Sequence, residues 1–131
     1  MNKPLQLPDQ QPVLRLVPMP ADMNSAGDIF GGWVMSHLDV AGGIPAFRRA
    51  RGRIATVAAN ALQFRQPIAV GDLVSFYAEV IRVGTTSITV QVEVYAERNP
   101  RNPIVVKVTE AQLTYVAVDK QGKKRPLPPD D

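Results

Sequence analysis

The sequence predicts an α+β domain: one long helix lying on an antiparallel sheet of about five strands. Three observations carry this. One stretch, about Phe30 to Ala46, has helical periodicity and length. From Ile54 onward the chain alternates apolar and polar residues in runs separated by glycine, proline and asparagine, the mark of half-buried strands joined by turns. The 131 residues, with no internal repeat or boundary, suffice for one sizeable core.

Taken in order, residues 1–12 are polar and proline-containing and predict a flexible arm. Val13-Leu-Arg-Leu-Val17 is a short strand, ended by Pro18 and Pro20. Asn24, Ser25, Gly27 and Asp28 form a loop, because their side chains or backbones favour turns. Asp28 stands where a helix N-cap belongs. The helix follows; Gly42 and Gly43 loosen its end, and Pro45 predicts a kink or a stop. Ile54–Phe64, rich in Ala, Val and Thr, is strand-like. Leu73–Val83 places Val74, Phe76, Ala78 and Val80 on one face and Ser75, Tyr77 and Glu79 on the other. Gly84-Thr85 marks a hairpin, and Ser87–Arg98 alternates again. Asn99–Pro103 is a turn. In Ile104–Val118 the apolar phase shifts between Val108 and Ala111, which predicts a bulge near Thr109-Glu110. Residues 120–131 are a basic, proline-rich tail, which leaves 13–119 as the folded domain. Such a sheet leaves an apolar edge or face that a second copy would cover, so at least a dimer is expected.

Composition narrows the function. The 45% hydrophobic and 21% charged content is globular. No apolar run reaches membrane-spanning length, and the first residues lack a signal-peptide core, so a cytoplasmic protein without a membrane partner is expected. With no cysteine and the single histidine His37, thiolate chemistry and a multi-histidine metal site within one chain are not available. His37 and Asp39 are two residues apart, about 200° around a helix, so a triad on this helix is not expected and His37 is expected at a surface or interface. The net charge of +3 is mild. Arg48, Arg49 and Arg51, with Arg53, cluster after the helix, and Lys120, Lys123, Lys124 and Arg125 cluster near the end. These are either solvated surface or a phosphate-recognising patch. No basic recognition helix points to nucleic acid.

Gly32, Ser36, Asp39 and Gly43 recur on one helical face and are all small or acidic. Gly31 and Gly32 cost a helix up to ~1 kcal/mol each against alanine. Either something packs close to the backbone there, or the free helix-start amides face a ligand. Asp39, between Leu38 and Val40 on a helix expected to be buried, is either a carboxylate bonded to nearby backbone or a general base or nucleophile in a cleft.

The runs Met19-Pro-x-Asp-x-Asn24, Gly27-Asp-Ile-Phe-Gly-Gly-Trp-x-Met35 with Asp39, Gln63-Phe-Arg-Gln-Pro-Ile-x-Val-Gly-Asp72 and Thr114-Tyr-Val-Ala-Val-Asp119 resemble the hotdog-fold acyl-CoA thioesterases, most closely the bacterial YciA-like hydrolases. The resemblance covers about Leu14 to Asp119. It implies a central helix wrapped by the sheet, and homo-oligomers built from dimers, commonly trimers of dimers. It implies hydrolysis of acyl-CoA without a metal or prosthetic cofactor. Asp39 would be the catalytic carboxylate and Gly32 the amide that polarises the thioester carbonyl. Asn24 would complete the catalytic set from the pocket loop it shares with Asp28. Gly31 and Asn60 would line the substrate, Asn60 standing where the family often carries an acid. Arg48, Arg49 and Arg51 are candidates for the CoA phosphates, with the tail's basic residues weaker ones. Two other readings stay open: a non-catalytic acyl-CoA sensor, and a hotdog hydratase or dehydratase, which would generally need a histidine beside the acid.

Overall fold

In the computed structural model, which describes residues 5–130, the elements are β1 (Leu14–Leu16), a 3-10 turn (Pro20–Asp22), α1 (Gly31–Ala50), β2 (Ile54–Phe64), β3 (Leu73–Val83), β4 (Ser87–Arg98) and β5 (Ile104–Ala117). All strands form one antiparallel sheet in the order β1-β3-β4-β5-β2, so the expected helix-on-sheet architecture is present. Residues 1–4 of the expected arm and residue 131 of the tail lie outside the described residues. Among the described residues no helix is long and apolar enough to cross a membrane.

The alternation read from the sequence sets the core. Ile88, Val90, Val92, Val94 and Ala96 are fully buried along β4, the central strand. Val34, Leu38, Ala41, Ala46 and Ala50 of α1 pack over that face. The outer face of β3 departs from the expectation: Ser75 and Tyr77 are buried as well. The Arg15 guanidinium donates to Ser75 Oγ at 2.7 Å, and the Tyr77 and Tyr95 rings meet edge-on at 5.8 Å. Phe76, fully buried, lies 6.5 Å from the Trp33 ring and 6.2 Å from His37. Phe76→Ala is expected to cost about 3–5 kcal/mol, read as a lower urea midpoint at fixed protein concentration.

Three boundaries differ from the sequence reading. The helix does not stop near Ala46 but runs through Pro45 to Ala50. Proline in a helix removes one N–H donor and crowds the preceding turn, yet Ala46 and Ala50 are fully buried against the sheet, and packing outweighs the local penalty. Arg51, left-handed at φ 53°, ends the helix. Asp28 is not the N-cap; Phe30 holds that position, with no side-chain cap. The bulge in β5 falls at Val108, one residue before the expected place, because Val94 pairs with Thr109 but Tyr95 pairs with Lys107.

The tail follows the domain closely. Arg125 N–H donates to Ala117 O and Leu127 N–H to Thr85 O. The Arg125 guanidinium reaches Val118 O and, at 3.1 Å, Ala50 O at the end of α1. At the far edge, β2 is irregular: its register against β5 shifts between Thr56 and Ala58 and again between Asn60 and Gln63, where Ala61 is left-handed.

Candidate active site

The loop before α1 is shaped by Asn24. Its Oδ1 accepts from Ala26 N–H at 2.9 Å and from Asp28 N–H at 3.1 Å, an Asx turn. Asn24 N–H donates to Asp28 O, and Ile29 N–H to Ile68 O, which ties the loop to the segment after β2. That segment is held in turn by Asp72, whose carboxylate accepts from Ala69 N–H and from Arg98 at 2.7 Å. Between the two lies a cavity of about 300 Å³ lined by Asn24, Asp28, Ile29, Gly31, Phe64, Arg65, Gln66 and Pro67. The helix start opens on it. The Gly31 and Gly32 amides have no acceptor among the described residues. A Cβ at Gly32 would meet nothing within 4 Å, and one at Gly31 only Phe64 at 3.7 Å. Close packing within the protomer therefore does not explain the glycine pair. A second cavity, about 170 Å³ and lined by Gln10, Tyr77 and Glu93 among others, lies on the other face of the sheet, away from these amides.

Asp39 contradicts the expectation of burial: it is exposed in the protomer. Its carboxylate is not bonded to nearby backbone either. Thr56 of β2 donates its hydroxyl to Asp39 Oδ1 at 2.7 Å, and the Tyr115 hydroxyl also interacts with the Asp39 side chain. Tyr115 of β5, fully buried, donates to the Asp39 main-chain carbonyl at 2.9 Å. Burial, then the Asp39 charge, pushes the Tyr115 phenol well above its usual pKa, so it stays a donor. The Tyr115 ring lies against Gly42, where an added Cβ would fall 2.5 Å from the hydroxyl. Exposed apolar side chains lie along both elements: Met35, Val40 and Phe47 on α1, Val57 and Phe64 on β2.

The protomer thus assembles two half-sites. Asn24, Asp28 and Gly31 share the cavity; Asp39 sits with Thr56, seven residues along an unbroken helix from Gly32, about 10 Å at 1.5 Å per residue. Asn60 is exposed on β2, paired with Gln112, and does not line the cavity. The arginine cluster divides. Arg48 is exposed; Arg49 donates to Pro128 O at 2.6 Å and so holds the tail; Arg51 caps the helix. Arg125, a weaker phosphate candidate, is occupied with backbone carbonyls. His37 is half-buried in the protomer, where its Nδ1–H donates to Trp33 O at 2.7 Å and its ring lies 4.3 Å from Trp33. Among the described residues no cluster of three or more His, Cys, Asp or Glu is placed to hold a metal.

Sequence reasoning missed Thr56, Tyr115 and Arg65 as site residues. Arg65 and Tyr115 lie inside recognised motifs, but Thr56 carries no local signal. Arg65 pairs with Glu110, and this bond, with Lys107 adding to it, holds the Glu110 carboxyl below the usual range.

A model of the Thioesterase superfamily matches residues 26–101. The acyl-CoA thioester hydrolase YciA of Salmonella typhimurium is 49% identical over 123 residues, 92% of each chain. A hexameric hotdog fold thioesterase of Campylobacter jejuni superposes with a TM-score of 0.87 at 42% identity over 91% of both chains. The hexameric thioesterase from Yersinia pestis gives 0.86 at 47% identity, over 95% of this chain and all of its own.

Proposed function

This chain belongs to the thioesterase superfamily and is an acyl-CoA thioester hydrolase; from that premise we propose that Asp39 of one protomer and the Gly31–Gly32 amides of its partner act on one thioester. The observation that carries the proposal is the two half-sites. A base must lie within about 3 Å of the atom it serves, as must donors to the oxyanion. A single helix cannot bring groups about 10 Å apart to one carbonyl. A two-fold dimer can, and the exposed Met35, Val40 and Phe47 of α1 with Val57 and Phe64 of β2 supply an apolar surface for it to bury. The chain forms a homo-oligomer, as its hexameric relatives do; we read the assembly as a trimer of such dimers.

In this arrangement Thr56 orients the Asp39 carboxylate by donating to Oδ1. As general base, Asp39 takes a proton from water while the water oxygen bonds to the thioester carbon. The carbonyl electrons move onto oxygen, which the helix-start amides and the positive end of α1 stabilise. The tetrahedral intermediate collapses, the C–S bond breaks and CoA leaves as the thiolate, which regains a proton. As nucleophile, the same carboxylate would bond to the carbon itself, expel the thiolate and form an anhydride that water then opens. Neither route requires a metal or prosthetic group. His37, bonded to Trp33, is not placed to serve Asp39 as a hydratase would need.

The CoA phosphates fall to Arg48, whose side chain makes no hydrogen bond among the described residues, with Lys123 and Lys124 of the tail as weaker candidates. Arg49 is assigned instead to the tail. In a thiol-release assay, Arg48→Gln is expected to raise KM several-fold while kcat stays within about twofold, and the KM difference should shrink with added salt. Unchanged KM at low salt would return Arg48 to plain surface.

A further inference from the structure

Asp39 is held twice by one cross-strand pair. Thr56 and Tyr115 are register partners between β2 and β5. Thr56 grips the Asp39 carboxylate, and Tyr115, from the core, grips the main-chain carbonyl of the same residue. The helix is a poor ruler at this point. One turn beyond Asp39 come Gly42 and Gly43, which restrain the backbone least, and Pro45, which lacks the N–H that would bond Ala41 O. Gly42 also has to be glycine for the hydroxyl to fit, since a Cβ there would stand 2.5 Å from it. A phenylalanine at 115 would fill the core equally well; the hydroxyl adds only the bond to Asp39.

We propose that Tyr115 is a positioning residue for hydrolysis. Its hydroxyl fixes the height and rotation of the α1 turn that presents Asp39, so that Thr56 and the thioester meet the carboxylate in one geometry. The inference rests on Asp39 being the catalytic carboxylate. It assigns Tyr115 no contact with substrate.

The test is Tyr115→Phe in the intact oligomer, read by thiol release. Small misplacements of a reacting group cost up to about 10²-fold, so kcat is expected to fall about 10- to 100-fold with KM within about twofold. Leu113→Ala, a core lesion on the same strand with the Asp39 clamp intact, should lower the thermal midpoint yet leave kcat of the folded fraction unchanged. Gly42→Ala displaces the hydroxyl from the other side. It should lower kcat in the natural background, and have a smaller effect in Tyr115→Phe, where the 2.5 Å clash is gone and only the ring carbons at 3.3 Å remain. If Tyr115→Phe does not fold, Gly42→Ala alone decides, a fall in kcat supporting the proposal and an unchanged kcat overturning it. Wild-type kcat in folded Tyr115→Phe also overturns it. Asp39→Ala, assayed in parallel, separates the two claims. An inactive Asp39→Ala beside a fully active Tyr115→Phe removes only the positioning role. An active Asp39→Ala removes the assignment beneath it.

Discussion

Asp39→Asn should leave a folded oligomer that turns over acyl-CoA about 10²–10⁴ times more slowly than the natural chain. The substitution keeps the shape and one acceptor oxygen for the Thr56 hydroxyl, so the clamp from β2 survives. Asp39 is exposed in the protomer, so no core is disturbed. What is lost is the group that takes a proton or attacks carbon. Thiol release measures the rate, and sedimentation confirms the assembly. Near-normal turnover by a well-folded Asp39→Asn protein would exclude the carboxylate from the chemistry. A single turnover of the natural enzyme in oxygen-18 water then probes the route: label in the Asp39 carboxylate indicates an anhydride opened at the aspartyl carbon.

The second large effect is a recovery of activity. Asp39→Ala is expected to be inactive as a homo-oligomer, and so is Gly32→Leu, whose side chain would obstruct the helix-start amides. Within its own protomer that leucine begins in open space, since a Cβ at Gly32 meets nothing within 4 Å; its damage falls on whatever faces the helix start from outside. When the two variants are co-expressed and form mixed dimers, one site receives both lesions and the other neither. About half of the natural activity per mixed dimer should return. Mixed dimers that form and remain inactive would place Asp39 and the amides of one chain in the same site, against the helix-length argument.

Much of the fold was legible because the strands obey a period of two. β3 and β4 begin and end where the alternation does, and the phase slip in β5 located its bulge to within one residue. The helix end was not legible, because Pro45 is a local signal and the burial of Ala46 and Ala50 that overrides it is a tertiary one. The same holds at the other end: Asp28 has the chemistry of a cap, but the Asn24 turn and the Asp28 pairing with Ala69 commit that backbone to the loop. At the site, Asp39 could be picked out as an acid among apolar neighbours. Its surroundings were misread, because Leu38 turns into the core while Asp39 and Val40, the next two residues, face outward. Its partners Thr56 and Tyr115 are 17 and 76 residues away, a distance that no periodicity spans. The arginine cluster looked uniform in sequence, yet Arg49 and Arg53 reach carbonyls of the tail.

The irregularities of β2 also bear on how association stops. An edge strand with exposed valine and phenylalanine is a template on which any extended chain could grow, the route to fibres. Here the register shifts divide the eleven residues of β2 into short runs, Ile54–Thr56, Ala58–Asn60 and Gln63–Phe64. A straight foreign strand would find no more than about three consecutive partners before losing step. A copy of the same chain, inverted about a two-fold, carries the same interruptions and can match them. The breaks thus favour a closed particle of fixed size over open-ended growth, and the apolar side chains that the site needs can stay on the edge without making it indiscriminately adhesive.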